Sequence, residues 1–418
     1  MERASLRRGE HMIRAFWERV TGRAPAVGPD STGVLRIPRQ MVYGLSRFVD
    51  ANALLDGDDY PQIERQFYRM LHGERGEHIS PSLAGSAAFV GALCDAAYLA
   101  PMASQRQSAH TLIDQIAAAR GVDRQRFELD CLPNCGLDGD IRFVGARGHV
   151  YALTIGLGHR PLLRGRGGRM HTGAPHDLDH EQRQLLRRAK LLLGHKLRAQ
   201  RRRLELAMLG GDRWDAQFFL GEMLPHPLLA WLCRHVLWAG YDQVGNLIEA
   251  FIVQEDGSLT SETYGAARVG EYATVGVPHP ADIPPERLAA WVELLDDFPY
   301  QPLFPQLRRP APTVRRSPAE LTALLATLRF QAEPLCAALR ALGWDVRYPI
   351  LQVRYALPHM DVGALVEMQA QVGVVQLLRY SFERAGLPVT PDQVPPRLMN
   401  EVLCHLGLLV EDTRLRAG

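Results

Sequence analysis

Ile141-Arg-Phe-Val-Gly-Ala-Arg-Gly-His-Val-Tyr-Ala-Leu-Thr-Ile155 is where the character of this chain changes. Two runs rich in β-branched and aromatic residues, Ile141–Val144 and His149–Ile155, flank Gly145-Ala-Arg-Gly148, the pattern of a β-hairpin with a glycine-containing turn. Upstream the period is helical. Arg39 to Leu55, Pro61 to Leu71, Pro81 to Leu99 and Ser104 to Arg120 carry apolar residues three and four apart, after a Gly/Pro/Ser/Thr-rich loop from Gly22 to Pro38. Downstream a Gly/Arg loop (Gly156 to Pro175) leads to the longest helical signal, Glu181 to Leu209. Asp179 with Gln182 resembles a capping box at its start, and Gly210-Gly211 stops it.

A helix over Asp215 to Leu224 precedes strands at His235–Tyr241 and Asn246–Val253, and Asp256-Gly257 turns tightly into Leu259. Both faces of Leu247–Val253 are largely apolar, which predicts a central strand. Pro284 to Leu295 reads as a helix and the Pro/Arg-rich stretch Pro305 to Pro318 as a linker. Beyond it come a helix (Pro318 to Leu342), strands at Val346–Ala356, Ala364–Gln369 and Val374–Phe382, and an amphipathic helix from Pro396 to Leu409 with Leu398, Val402, Leu406 and Leu409 on one stripe. Strands and helices come in blocks rather than in strict βαβ alternation. The expected class is therefore α+β, a helical N-terminal region followed by mixed or antiparallel sheet with packed helices. The expected divisions are 1–125, 126–310 and 311–418.

Composition excludes several classes. The 418 residues are 46% hydrophobic and 22% charged with a net charge of +2, so no whole-molecule field favours nucleic acid or an anionic membrane, and any basic footprint must be local. Cys94, Cys131, Cys135, Cys233, Cys336 and Cys404 show no C-x-x-C pair, which points to free thiols in a reducing cytoplasm. Met1-Glu-Arg-Ala-Ser-Leu-Arg-Arg is not followed by an apolar run, so it is not a secretory signal, and Met12 is as good a start as Met1. The small-residue stretch Pro81 to Met102, interrupted by Asp95 and Pro101, reads as a buried helix capped by Ser80 rather than a membrane span.

Only Lys190 and Lys196 are lysines. Neither follows a glycine as in a phosphate-binding loop, and neither sits in a kinase-like strand. Both lie in one basic helix, which argues against a Schiff-base lysine, since that residue needs a dry pocket. H-E-x-x-H, G-x-S-x-G and P-C-x-x-C are all missing, and no cofactor or metal is implied.

Three constellations could carry chemistry. On the Glu181–Leu209 helix, Arg183, Arg187, Lys190, Arg198 and Arg201 fall on one face over about 27 Å at the helical rise, opposite a Leu/Ala/Met stripe. Such a row suits a phosphate backbone or an acidic protein, and equally a solvated face. The adjoining Gly165-Arg-Gly-Gly-Arg169 fits RNA binding, but aromatic interleaving is missing. His171-Thr-Gly-Ala-Pro-His-Asp-Leu-Asp-His180 holds possible ligands for a metal or a His-Asp phosphohydrolase-like site, without a recognisable spacing; Asp177 and Asp179 suit a helix N-terminus. Finally, His279 lies between prolines, and Gln301, Gln306 and Arg309 share a proline-rich turn, where polar groups on a stiff loop suit a binding pocket.

Ordered motifs connect these last residues. They are His226-Pro-Leu-Leu229, Val236-Leu-Trp238, Tyr241-Asp-Gln-Val-Gly245, Gln254-Glu-Asp-Gly257, Val275-Gly-Val-Pro-His-Pro280, Trp291 to Phe298 and Gln301-Pro-Leu-Phe-Pro-Gln-Leu-Arg-Arg-Pro310. Their order resembles MolR-type bacterial proteins that contain domain of unknown function 4132. The likeness extends loosely from Gly136 to Leu403, without the WGR module that many relatives carry; Arg308 and Pro278 depart from the pattern. It singles out His226, Trp238, Asp256, His279, Gln306 and Arg309, and implies a cytoplasmic regulatory role with no established chemistry. The expectation is a regulatory or binding module that contacts nucleic acid or a protein partner through the 181–209 helix. The alternatives are an enzyme with a pocket at His279, Gln306 and Arg309, or a structural subunit of a complex.

Overall fold

A computed structural model describes residues 39–71, 79, 81–138, 142–297, 300–307, 309, 318–346, 352–357, 360–371 and 373–417. The expected loop at 22–38, the alternative starts and most of the expected 305–318 linker lie outside these residues. The described residues form two compact units, one from the chain up to Arg203 together with Gln217–Leu232, the other from Leu204–Ala216 and Cys233 onward. The class is α+β, with helices beside three antiparallel sheets.

In the first unit, helices Arg39–Ala51, Tyr60–Leu71, Ala87–Leu99 and Ala103–Ala119 follow the predicted periodicity and share one apolar core. Its centre is the alanine-rich helix Ala87–Leu99, whose small side chains let neighbours approach; Ala88, Phe89, Ala92 and Leu93 are fully buried. The single helix expected from Pro81 to Leu99 is two, Pro81–Gly85 and Ala87–Leu99. A tertiary contact makes the break. The Asp56 carboxylate accepts from Ser86 Oγ and from the amides of Ala87 (2.8 Å) and Ala88 (3.3 Å), while Ser86 Oγ accepts from Phe89 N, so a new N-terminus is capped there.

The hairpin is present as β1 (Arg142–Val144) and β2 (Val150–Gly156). The expected Gly156–Pro175 loop, however, contains β3 (Arg160–Arg164) and β4 (Met170–His171), completing a sheet of order β1-β2-β3-β4. Positive φ at Gly158 and His159 reverses the chain between β2 and β3. The run Arg-Pro-Leu-Leu-Arg is too short and too poorly alternating to signal a strand by itself. The long helix spans His180–Gly210; Asp179 accepts from Gln182 N at 2.8 Å, and Gly211 with φ +77° ends it, as the sequence predicts.

The second unit holds two sheets. The first runs β5 (Arg213–Asp215), β9 (Thr274–Gly276), β6 (Trp238–Tyr241), β7 (Leu247–Val253), β8 (Leu259–Ser261), so Leu247–Val253 is interior as expected. The helix Pro285–Asp297 packs on this sheet through Trp291, Leu294 and Leu295 against Leu237, Ala250 and Ile252. The second sheet runs β10 (Phe330–Gln331), β14 (Val374–Arg384), β13 (Val362–Gln371), β12 (Gln352–Ala356), β11 (Asp345–Val346), with β15 (Leu387–Val389) on β14. β10 divides the helix expected over Pro318–Leu342 into Pro318–Thr327 and Ala332–Ala341. Pairing of Phe330 with Val375 overrides the helical pattern there. The Pro396–Glu411 helix buries the predicted stripe.

Candidate functional sites

In the second unit, His279 and Arg309 meet on one carboxylate, Glu401 of the last helix. All three groups are buried or nearly so, and Arg309 also pairs with Glu205. His279 caps a short turn: its Nδ1 accepts from Ala281 N at 3.1 Å, so Nε2 carries the proton and faces Glu401 Oε1 at 3.3 Å. His405 repeats the arrangement. Its Nδ1 accepts from Trp344 Nε1 at 3.3 Å, and its Nε2 lies 3.6 Å from Glu401 Oε2. Burial works to raise the Glu401 carboxyl, but the His279 hydrogen bond and the Arg309 guanidinium outweigh it and hold the group down at about 2. Both imidazoles use their lone pair on an internal donor, so neither offers a base to a substrate.

Gln306 is equally internal. Its Oε1 accepts from Leu237 N (3.0 Å), and its Nε2 donates to Leu237 O (2.9 Å) and Pro278 O (3.0 Å), joining the 300–307 turn to the residue that leads into β6. Gln301 is exposed. Three of the four pocket residues are thus brought together, in packing and hydrogen-bonding roles. Glu401, which organises them, is not among the residues the sequence singles out. The signal that could have found it is a glutamate three residues after Leu398, beside the apolar stripe of an amphipathic helix. Elsewhere, Trp238 is buried with its indole donating to Cys233 O (3.0 Å), and Asp256 accepts from Ser258 N (2.9 Å) within its turn. His226, in the first unit, contacts Leu132 O at 3.0 Å.

The predicted basic face lies in the first unit and is divided. Arg183 donates to His176 O (2.6 Å) and Lys190 to Thr172 O (2.8 Å), so these two tie down the 171–179 segment; burial lowers the Lys190 ammonium below its ordinary range. Arg187, Arg198 and Arg201 are exposed. Between them, a Cβ on Gly194 would lie 3.7 Å from Pro161 of β3, so that strand packs on the helix within the row. Lys196 corrects another expectation. It is 1% exposed, donating to Asp95 (2.9 Å) and Gly91 O (3.0 Å), so this helix does give one lysine a dry setting, occupied by an ion pair.

The outward face of the four-stranded sheet adds to the exposed arginines. Arg142, Ala152, Arg164 and Met170 form one cross-strand row, with Arg160 opposite Gly156 and Val144 opposite Val150. Phe143, Tyr151, Leu153, Ile155 and Leu163 take the other, buried face. From Arg142 to Arg203 the sequence holds 15 Lys and Arg against 3 Asp and Glu, a local charge of +12 in a chain whose total is +2. This segregation is readable in the sequence by counting over a window.

The histidine-rich segment is also rearranged. Asp179 is the helix cap, His180 Nε2 contacts Gln184 (2.7 Å), and His176 is exposed. Asp177 turns to the hairpin, accepting from His149 Nδ1 (3.0 Å) and Tyr151 OH (3.0 Å). Burial favours a higher Asp177 value, but these two hydrogen bonds prevail and hold the carboxyl below its ordinary range. Gly145 is required, since a Cβ there would collide with Asp177 Oδ2. His171 packs edge-on against Tyr151 with centroids 5.5 Å apart, and His149 does so at 6.4 Å. Among the described residues no group of three or more His, Cys, Asp or Glu is arranged to hold a metal ion, and no helix is long and apolar enough to cross a membrane.

Comparison with known proteins finds no matching curated protein and no matching solved structure. One family model does match: residues 168–344, from the end of the Arg/Gly loop through the long helix, the five-stranded sheet and Arg309, are similar to a domain of unknown function (DUF4132).

Proposed function

We propose that this protein is a nucleic-acid-binding module, and that the contact surface is built from residues 142–203. The observation that carries the reading is the charge of +12 on that segment in a chain of +2. Arg160, Arg164, Arg166, Arg169, Arg187, Arg198 and Arg201 are exposed there, on β3, the Arg/Gly loop and the long helix. Guanidinium groups held on regular secondary structure neutralise phosphates and release counterions, which drives binding without base readout. A regulatory, MolR-type role in the bacterial cytoplasm is the form of this reading that the motif order favours.

The test is a salt titration of binding to a fluorescent single-stranded RNA by the whole chain and by the triple variant Arg187→Ala, Arg198→Ala, Arg201→Ala. Alanine preserves the helix, and these arginines, unlike Arg183 and Lys190, do not tie down the 171–179 segment. The variant neutralises three fewer phosphates. At about 0.7 for each on a single strand, the slope of log K against log salt falls in magnitude by about 2. Lack of binding at low salt, or an unchanged slope in the variant, overturns the proposal; binding of an acidic protein instead would replace it.

A further inference from the structure

The Asp177–His149 pair lies inside the basic segment, and we infer that it supplies the general base, His149, of an RNA-cleaving site; this rests on the nucleic-acid reading above. The His149 side chain is 47% exposed while Asp177 is 10% exposed, so the carboxylate is internal and the imidazole reaches solvent. With Nδ1–H donated to an ionised Asp177, the lone pair of His149 is on Nε2, the atom left for a substrate. This is the opposite of His279 and His405, whose lone pairs are used internally. The pair is built rather than incidental. Asp177 is fixed by Tyr151 OH, its own carbonyl accepts from Ala146 N at 2.8 Å, and the missing Cβ of Gly145 makes room for it.

A second imidazole, His171, packs against the same Tyr151 ring, and its Nε2 sits 3.1 Å from the position a Cβ on Gly165 would take, at the root of the Arg/Gly loop. The charge of Arg169 from that loop acts on Tyr151, and Arg147 lies two residues before His149 in the hairpin turn. Two imidazoles with flanking guanidinium groups suit a phosphodiester that carries its own nucleophile, the 2′-hydroxyl of RNA. His149 Nε2 takes the 2′-hydroxyl proton as O2′ bonds to phosphorus. The P–O5′ bond breaks, and the leaving O5′ receives a proton from protonated His171. The products are a 2′,3′-cyclic phosphate and a free 5′-hydroxyl, with no oxidant or further reactant. Asp177 and Tyr151 are positioning residues, which hold His149 in one tautomer.

The experiment follows binding and cleavage of one RNA oligonucleotide by the whole chain, with products read by mass spectrometry. Cleavage to a 2′,3′-cyclic phosphate is expected, and its loss in the all-2′-deoxy oligonucleotide. His149→Ala and His171→Ala should each slow cleavage by about 100-fold or more at unchanged affinity. Asp177→Asn should lower kcat with KM unchanged, and the exposed control His176→Ala should cleave normally. RNA that is bound but left intact overturns the inference and leaves the binding reading standing. Cleavage by His149→Ala at the wild-type rate overturns it as well, as contamination. RNA that is not bound defeats both.

Discussion

Replacing Glu401 with glutamine tests the centre of the second unit. The carboxylate is fully buried between Arg309, His279 and His405, and glutamine keeps its shape while removing its charge. The folded-state value of about 2 against an ordinary 4.5 corresponds, at about 1.4 kcal/mol per pH unit, to about 3 kcal/mol of stability near neutral pH. Breaking one side of a buried ion pair costs about 3–5 kcal/mol by independent reckoning, so the two agree. Because the folded value is depressed, this stability is fully present above about 4.5 and lost as pH falls towards about 2, with more than half gone by about pH 3. For a unit of roughly 200 residues, about 3 kcal/mol lowers Tm by about 6–12 °C. Thermal unfolding followed by tryptophan emission reads this directly, since Trp344 donates to His405 beside the site. Wild type and Glu401→Gln should differ by that amount at about pH 7 and converge on acidification. A shift of under about 2 °C at neutral pH, or a gap that does not narrow towards about pH 3, would show that the charges at this carboxylate are not what holds these segments together.

Two further substitutions probe buried polar groups. Gln306→Leu strands Leu237 N–H, Leu237 C=O and Pro278 C=O; at about 1–3 kcal/mol for each buried orphan, destabilisation of about 3 kcal/mol or more is expected, and exchange of the Leu237 amide at the start of β6 should quicken. An unaltered melt would mean that water replaces the amide. Lys196→Met leaves Asp95 buried without its cation and should cost about 3–5 kcal/mol, part of it recovered when Asp95→Asn is added. A double variant no more stable than Lys196→Met alone would show that the lysine acts by packing and not by charge.

What the sequence determined by itself was local. Apolar period and turn chemistry over windows of about ten residues marked the 142–156 hairpin, the Asp179 cap and Gly211 stop of the long helix, the interior strand 247–253 and the apolar stripe of the last helix. Those features are set by neighbours three or four residues away, which is why they survive without tertiary knowledge. The local charge of +12 belongs with them. The tertiary structure decided whatever depended on a distant partner. The break at Ser86 exists because Asp56, 30 residues earlier, caps the following helix. Lys196 has a dry setting on a basic helix because Asp95, 101 residues away, gives it a buried carboxylate. The motif residues His279 and Arg309 take internal roles because Glu401, 122 residues beyond His279, faces them across the unit. His149 and Asp177 meet only because the hairpin folds back on the segment before the long helix. A one-dimensional pattern records which side chains are apolar and how often, but not which buried charge answers another, because that pairing is fixed by packing in space and carries no period along the chain.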